Sequence, residues 1–145
     1  MILVALDGSS RAPVVLTRAI AVAGAQSERL VLFRSIGLPA EIPQDLWRST
    51  DETIFDILDK RAKAYLDESE AQVPAAIRGG KEVVIGAPWQ SICETASGLH
   101  CDLIVIGSHG YSGIDRLLGT TAAKVVNHAP CSVLVVRDTV GAASS

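Results

Sequence analysis

The residues with the clearest chemical potential lie between Ile106 and Thr121, in the segment IGSHGYSGIDRLLGTT. Three glycines stand where an apolar strand pattern ends and where a helical pattern begins: Gly107, Gly110 and Gly119. Glycine lets the backbone approach a ligand and adopt a positive φ at little steric cost. N–H groups at a helix start lack intrahelical acceptors, and the helix dipole adds positive potential there. With the hydroxyls of Thr120 and Thr121 beside them, these groups predict a phosphate-binding turn.

Short apolar runs alternate with longer helical patterns along the chain. Strands are predicted at Ile2–Leu6, Leu30–Ile36, Lys81–Ile85, Asp102–Ile106 and Ser132–Arg137, and helices at roughly Ala12–Ala25, Asp51–Val73, Pro88–Leu99 and Gly119–His128. Most strands are apolar at consecutive positions, which is expected of a parallel sheet covered by helices on both faces. The pattern predicts a single open, doubly wound α/β domain.

The helix boundaries and connections carry further signals. Ser9 or Ser10 is predicted to cap the first helix, and Pro88 to open the third. The proline-interrupted connection from Gly37 to Leu46 is longer than such units need, so it is either a cover over a site or a slack surface loop. Residues 138–145 are small and polar, which predicts a flexible tail after a domain of residues 1–137.

Composition excludes several classes of protein. The 145 residues carry a formal net charge of −3, so there is no general attraction to nucleic acid or to an anionic membrane. No apolar run is long enough to span a bilayer, and no signal-peptide pattern precedes the first strand. The three cysteines form no Cys-x-x-Cys pair, which argues for reduced thiols rather than a disulfide or zinc framework. We therefore expect a cytoplasmic protein without nucleic-acid or membrane partners.

Asp7 is a second residue of chemical interest, because it directly follows the first strand. Ligands of open α/β sheets collect at the carboxyl ends of strands, where the winding direction reverses. If the first and fourth strands are neighbours, Asp7 faces the glycine-rich turn, and its carboxylate can accept hydrogen bonds from ribose hydroxyls or an adenine amino group. The alternative interpretation is that Asp7 turns the chain and caps the first helix.

Other polar and aromatic residues have weaker signals. His109 has no partner at a spacing that identifies a general base. Lys124 either reaches a terminal phosphate or faces water, and Trp89 is expected to pack against a neighbouring element. The chain lacks both Gly-x-x-x-x-Gly-Lys-Ser/Thr and, after the first strand, Gly-x-Gly-x-x-Gly. These absences argue against ordinary P-loop NTPases and Rossmann dehydrogenases.

Four segments resemble the universal stress protein (UspA) family over nearly the whole chain: Val4–Ser9, Asp102–Gly110, Leu117–Thr121 and His128–Arg137. The resemblance implies a five-stranded parallel sheet of order 3-2-1-4-5. The family's ATP-binding branch carries Gly-x-x-Gly, nine residues, then Gly-Ser/Thr. Here only eight residues, Tyr111 to Leu118, separate Gly110 from Gly119. This shorter spacer affects the terminal phosphate pocket most.

The same resemblance implies a role for each matching position. The ligand is an adenine nucleotide (ATP, ADP or AMP), with magnesium as its companion ion. The implied nucleotide-binding residues are Gly107 and Gly110 against the phosphates, Gly119, Thr120 and Thr121 donating to the phosphate chain, Asp7 at ribose or base, Ala5 and Ile106 lining the adenine slot, and Ser35 presenting backbone to the adenine edge.

The last strand, Ser132 to Arg137, predicts a partner of its own. In the implied order it is an apolar edge, which invites pairing across a two-fold axis, so we expect a homodimer through this strand. The expected function is a nucleotide-binding stress-response or signalling protein whose occupancy tunes partner choice or stability. One alternative is a slow hydrolase or phosphotransferase that uses His109, Thr120 and a metal held by phosphate and Asp7. Another is a structural dimer with a vestigial pocket.

Overall fold

The computed structural model describes residues 1–37, 44–108 and 118–137, with side chains omitted for 44–53. In chain order its elements are β1 (Ile2–Ala5), α1 (Ala12–Gln26), β2 (Leu30–Ile36), α2 (Gln44–Glu70), a 3-10 turn (Ala75–Ile77), β3 (Arg78–Ile85), α3 (Pro88–Gly98), β4 (Leu103–Gly107), α4 (Thr120–His128) and β5 (Ser132–Val136). The strands form a parallel sheet in the order β3-β2-β1-β4-β5. This confirms the predicted doubly wound α/β fold.

Both faces of the sheet are covered, which explains why the strands are apolar at consecutive positions. Successive side chains of a strand point to opposite faces. On one face Ile2 and Val4 pack with Leu16 of α1 and Leu66 of α2. On the other face a second cluster joins the strands to α3 and α4 and includes Leu3, Phe33, Ile92, Ile104 and Val125. The carboxyl ends of the strands are therefore held on a rigid, two-sided core.

The turn between β1 and α1 differs from the prediction that Ser9 or Ser10 caps the helix. The N-cap is Arg11, whose side chain makes no capping hydrogen bond. Ser9 folds the turn before the helix: its Oγ accepts from the Arg11 N–H at 3.3 Å, and its carbonyl accepts from the Ala12 N–H at 3.1 Å. The capping prediction is wrong because Gly8, at φ +75°, adds a tight turn that delays the helix start.

Two element boundaries also lie outside the predicted ranges. Helix α2 begins at Gln44 rather than Asp51, directly after Pro43 in the sequence. Proline is common near a helix start as well as in loops. The helix therefore includes the last residues, 44–46, of the connection predicted for Gly37 to Leu46. Strand β3 begins at Arg78 rather than Lys81 and so includes Gly79 and Gly80. An edge strand can accommodate glycines at an irregularity, and here the register of the pairing shifts opposite Leu30 and Val31.

Within residues 1–37, 44–108 and 118–137, no helix combines the length and apolar character needed to cross a membrane.

Candidate functional site

The carboxyl ends of β1 and β4 form the crevice where the chain's winding reverses. The two strands pair in parallel, with Ile2 opposite Leu103 and Val4 opposite Val105. After β1 the chain enters α1 on one face, and after β4 it leads to α4 on the other. This confirms the expected adjacency of the first and fourth strands. Ligands of open α/β sheets bind at such a switch point.

Ser108, at one end of the glycine-rich segment, is hydrogen-bonded to Gly119 near the other end. Its N–H donates to the carbonyl of Val136 at 2.9 Å, and its carbonyl accepts from the N–H of Gly119 at 2.9 Å. Ser108 is buried, with 7% of its surface exposed. These hydrogen bonds hold the start of α4 beside the ends of β4 and β5. Sequence reasoning assigned Ser108 no role, and its only signal was a small polar residue directly after the strand glycine.

The first turn of α4 presents donors toward the crevice end of the fold. Gly119 is the N-cap and has no side chain with which to satisfy the first amides. In the described parts of the chain, no hydrogen bond occupies the N–H of Thr120 or Thr121. The Thr120 side chain is exposed and that of Thr121 is half-buried. Two amides and two hydroxyls at a helix start fit the phosphates of a nucleotide.

Asp7 lies exposed at the end of β1. Its Oδ1 accepts a hydrogen bond from the Ser9 N–H at 2.9 Å. This contact confirms that Asp7 turns the chain, as one of the two interpretations had it. The carboxylate does not occupy the N-cap position of α1, which belongs to Arg11. Its predicted role toward ribose or base remains a prediction.

The residues predicted for the adenine slot lie at the same end of the sheet. Ala5 closes β1 and Ser35 lies near the end of β2, and both are half-buried. Ile106 is buried and belongs to the cluster beneath α3 and α4, against which Ala5 also packs. Gly107 is the last residue of β4. Gly110, His109 and Tyr111 to Arg116 lie outside the described residues.

Arg34 and Tyr65 form a contact with Gly8 that sequence reasoning missed. The Arg34 Cζ lies 4.8 Å from the centre of the Tyr65 ring, which is a cation–π arrangement. The guanidinium is so close to Gly8 that a Cβ there would lie 2.1 Å from Nη1. Arg34 is in β2, Tyr65 in α2 and Gly8 after β1, so no local pattern joins them. The contact places a cation beside the Asp7 turn.

Burial raises the pKa of Tyr65 above its ordinary value of 10.0. Hydrogen bonds with Ser69 and with the Gly8 backbone, together with the charge of Arg34, act in the opposite direction. The phenol is therefore protonated in the native fold at neutral pH. Its position ties α2 to the β1–α1 turn.

Ionisation of Tyr65 is expected to weaken the fold at alkaline pH. The unfolded chain ionises first, so the free energy of unfolding falls as pH rises above about 10 and continues to fall up to the native pKa. Spectroscopic titration of the phenolate in Tyr111→Phe, which leaves Tyr65 as the only tyrosine, should give a midpoint above 10. A midpoint at or below the ordinary value would contradict this account, and Tyr65→Phe should remove the late-titrating phenol.

Lys124 is exposed, as the interpretation that it faces water had it. Its Nζ lies 5.9 Å from the centre of the Trp89 ring in α3. A reach to a terminal phosphate remains a prediction. Trp89 also contacts the ring of His128, with 4.6 Å between ring centres. His128 Nδ1 lies 2.9 Å from the Lys124 carbonyl. The packing predicted for Trp89 is confirmed.

Thiol, imidazole and carboxylate side chains are the groups of this chain that could ligate a metal ion. Among the residues that the structure describes, no group of three His, Cys, Asp or Glu side chains is arranged to hold a metal ion. Cys93, Cys101 and Cys131 are free, and burial raises the pKa of each thiol. A magnesium ion at the crevice would depend on a nucleotide's own phosphate oxygens for several of its ligands.

The chain is similar to known proteins over nearly its whole length. The model of the Universal stress protein family matches residues 1–137. Universal stress protein A homolog 1 of Coxiella burnetii is 30% identical over 138 residues, covering 93% of this chain and 94% of that protein. The structure of UspA from Lactobacillus plantarum has 28% identity and a TM-score of 0.75, with 94% and 96% of the chains covered. A universal stress protein in complex with cAMP has 26% identity and a TM-score of 0.60, with 94% of each chain covered.

Proposed function

The chain belongs to the universal stress protein family, and on that basis we propose that its crevice binds an adenine nucleotide, ATP in the first place. The observation that carries the proposal is the start of α4, where the amides of Thr120 and Thr121 have no hydrogen-bond acceptor among the described residues. Such a helix start attracts phosphate. A related structure that holds cAMP supports an adenine nucleotide as the ligand class.

The proposed roles follow the order of the strands. The 5′ phosphates lie at α4, with the amides and hydroxyls of Thr120 and Thr121 donating to them. The ribose lies by Asp7, and the base lies on the small and apolar surface of Ala5 and Ile106. Gly107, Gly110 and Gly119 keep the backbone close to the phosphates, and the Ser35 backbone meets the adenine edge. Magnesium accompanies the phosphate chain.

In the proposed function, the bound nucleotide acts as a signal. It orders the crevice and so changes the stability of the protein or its choice of partner. A ligand that binds only the native state stabilises it by about 2.7 kcal/mol at a hundred times its Kd. Thermal unfolding with ATP and magnesium at millimolar concentration should therefore shift to higher temperature, whereas inorganic triphosphate should give a smaller shift. An unchanged midpoint with ATP would contradict the proposal.

We also propose that two copies pair through β5. The strand is at the edge of the sheet, with Val133, Leu134 and Val135 only half-buried. Val126 on neighbouring α4 is 46% exposed. Edge strands of this kind are normally covered, and a two-fold axis would bury them. Light scattering at micromolar concentration should give the mass of a dimer, and a monomer mass would overturn the pairing.

A further inference from the structure

We propose that the start of α3 binds a small oxyanion, a phosphate or a carboxylate group, through the N–H groups of Trp89 and Gln90 and the hydroxyl of Ser91. This site is separate from the proposed nucleotide site at the start of α4. Helix α3 follows the end of β3, and β2 and β1 lie between that strand and β4. Neighbouring strands are about 4.8 Å apart, so β3 is about 14 Å from β4. The inference therefore goes beyond the proposed nucleotide binding and does not depend on it.

The first support is that α3 begins without a cap. The N-cap is Ala87, whose side chain has no acceptor, and Pro88 is at the start of the helix. Proline has no N–H, so the first amides of the helix are those of Trp89 and Gln90. Among the described residues, no acceptor is hydrogen-bonded to either of these N–H groups. Ala87 and Gln90 are exposed, so the opening of the helix is accessible from solvent.

The second support is the hydroxyl of Ser91, which is independent of the missing cap. Ser91 is 6% exposed, and in the part of the chain that the structure describes no hydrogen bond involves its Oγ. A helical side chain lies over the turn N-terminal to its own Cα, so this hydroxyl is directed to the opening of α3. In agreement, its Oγ lies 3.1 Å from the position that a Cβ on Gly86, directly before the N-cap, would take. A buried hydroxyl without a partner is costly, and an oxyanion at the helix start supplies its acceptor.

The third support is the charge around this helix start. The first turn of α3 has no acidic residue. From α4, Lys124 Nζ lies 5.9 Å from the centre of the Trp89 ring, and the His128 ring lies 4.6 Å from it. Glu94, the acidic residue of α3, follows Ser91 toward the other end of the helix. The Lys124 cation and the helix dipole therefore both favour an anion at the start of α3.

The test uses Trp89 as a reporter, because its own amide belongs to the site. Trp47→Phe leaves Trp89 as the only tryptophan of the chain. The fluorescence of this variant is followed during titration with potassium phosphate and, separately, potassium acetate, with potassium chloride holding the ionic strength constant. We expect a saturable change with phosphate, acetate or both, with a Kd of about 1–10 mM. The two anions distinguish a phosphate site from a carboxylate site.

Two substitutions in the Trp47→Phe background remove the site by different routes. Ala87→Asp supplies the helix with its own carboxylate cap, so the fluorescence response should disappear. The thermal midpoint of Ala87→Asp without added anion should rise by about 2–4 °C. Ser91→Ala removes one donor and should raise the Kd about 10-fold to 100-fold. Ser97→Ala, at an exposed serine in the last turn of the same helix, is the matched control and should keep the original Kd.

Each outcome supports or overturns the inference. If neither phosphate nor acetate changes the Trp89 fluorescence, water alone occupies the start of α3 and the inference is overturned. It is also overturned if the response persists in Ala87→Asp, since the anion then binds elsewhere, or if Ser91→Ala leaves the Kd unchanged. Thr120→Pro, which removes a donor at the start of α4, should retain the response. Failure of this site and failure of nucleotide binding are therefore distinguishable.

Discussion

Replacing Thr120 with proline is expected to weaken ATP binding by about 10-fold to 100-fold and to leave the fold intact. Proline removes the Thr120 N–H, one of the two amides that the proposed function directs at phosphate, and with it the Thr120 hydroxyl. A hydrogen bond to a charged group contributes about 1.5–3 kcal/mol, which corresponds to this change in Kd. Thr120 is the first residue of α4, a position where proline is well tolerated.

The backbone conformation before Thr120 is compatible with proline at this position. Gly119, which precedes Thr120, has φ −61° and ψ 159°, the extended conformation that a residue before proline prefers. Thr120→Ala is the matched control, because it removes the hydroxyl but retains the N–H. Calorimetry should show a larger loss for Thr120→Pro than for Thr120→Ala. Equal affinities for wild type and Thr120→Pro would place the phosphates elsewhere.

Replacing Gly8 with alanine is expected to lower the free energy of unfolding by about 1–3 kcal/mol. At φ +75° an alanine is strained, since its Cβ crowds the backbone in the left-handed region. The Cβ would also lie 2.1 Å from Arg34 Nη1 and 2.8 Å from Cζ, so the guanidinium must leave its place on Tyr65. Urea unfolding monitored by tryptophan fluorescence measures the change.

Gly24→Ala provides a control of opposite sign. Gly24 lies inside α1, and a Cβ at this position meets nothing within 4 Å. Alanine is favoured over glycine in a helix by about 0.5–1 kcal/mol, so this variant should be more stable than wild type. If Gly8→Ala were as stable as wild type, the proposed close packing of Arg34 on the β1–α1 turn would be wrong. If the double variant Gly8→Ala with Arg34→Ala regains stability, the loss in Gly8→Ala comes from the clash with Arg34 and not from the positive φ alone.

Much of the fold could be predicted because the sheet is parallel and covered on both faces. Consecutive apolar residues in β1 and β4 reveal strands without reference to distant contacts, and the glycines and prolines between them mark turns. The boundaries were less accurate. Polar residues at the start of α2 carry little periodic signal, and the glycines of β3 conceal a strand that tolerates them at the sheet edge.

In the candidate site, too, local features could be predicted from the sequence, whereas contacts between separate elements could not. Residues close in sequence, such as Gly119 and Thr120, could be assigned because a helix start has the same chemistry wherever it occurs. The contact of Arg34 with Tyr65 and Gly8 could not be assigned, because it depends on how three separate elements pack. Ser108 lies between these cases: it is local to the motif, but its hydrogen bonds to Val136 and Gly119 depend on the tertiary fold.

The most direct test of the account is a calorimetric titration of the protein with ATP and magnesium. Binding at the carboxyl ends of β1 and β4 predicts a saturable heat with one nucleotide per chain, which weakens strongly in Thr120→Pro and persists in Thr120→Ala. The absence of heat, together with an unchanged thermal midpoint in the presence of ATP, would contradict nucleotide binding by this protein.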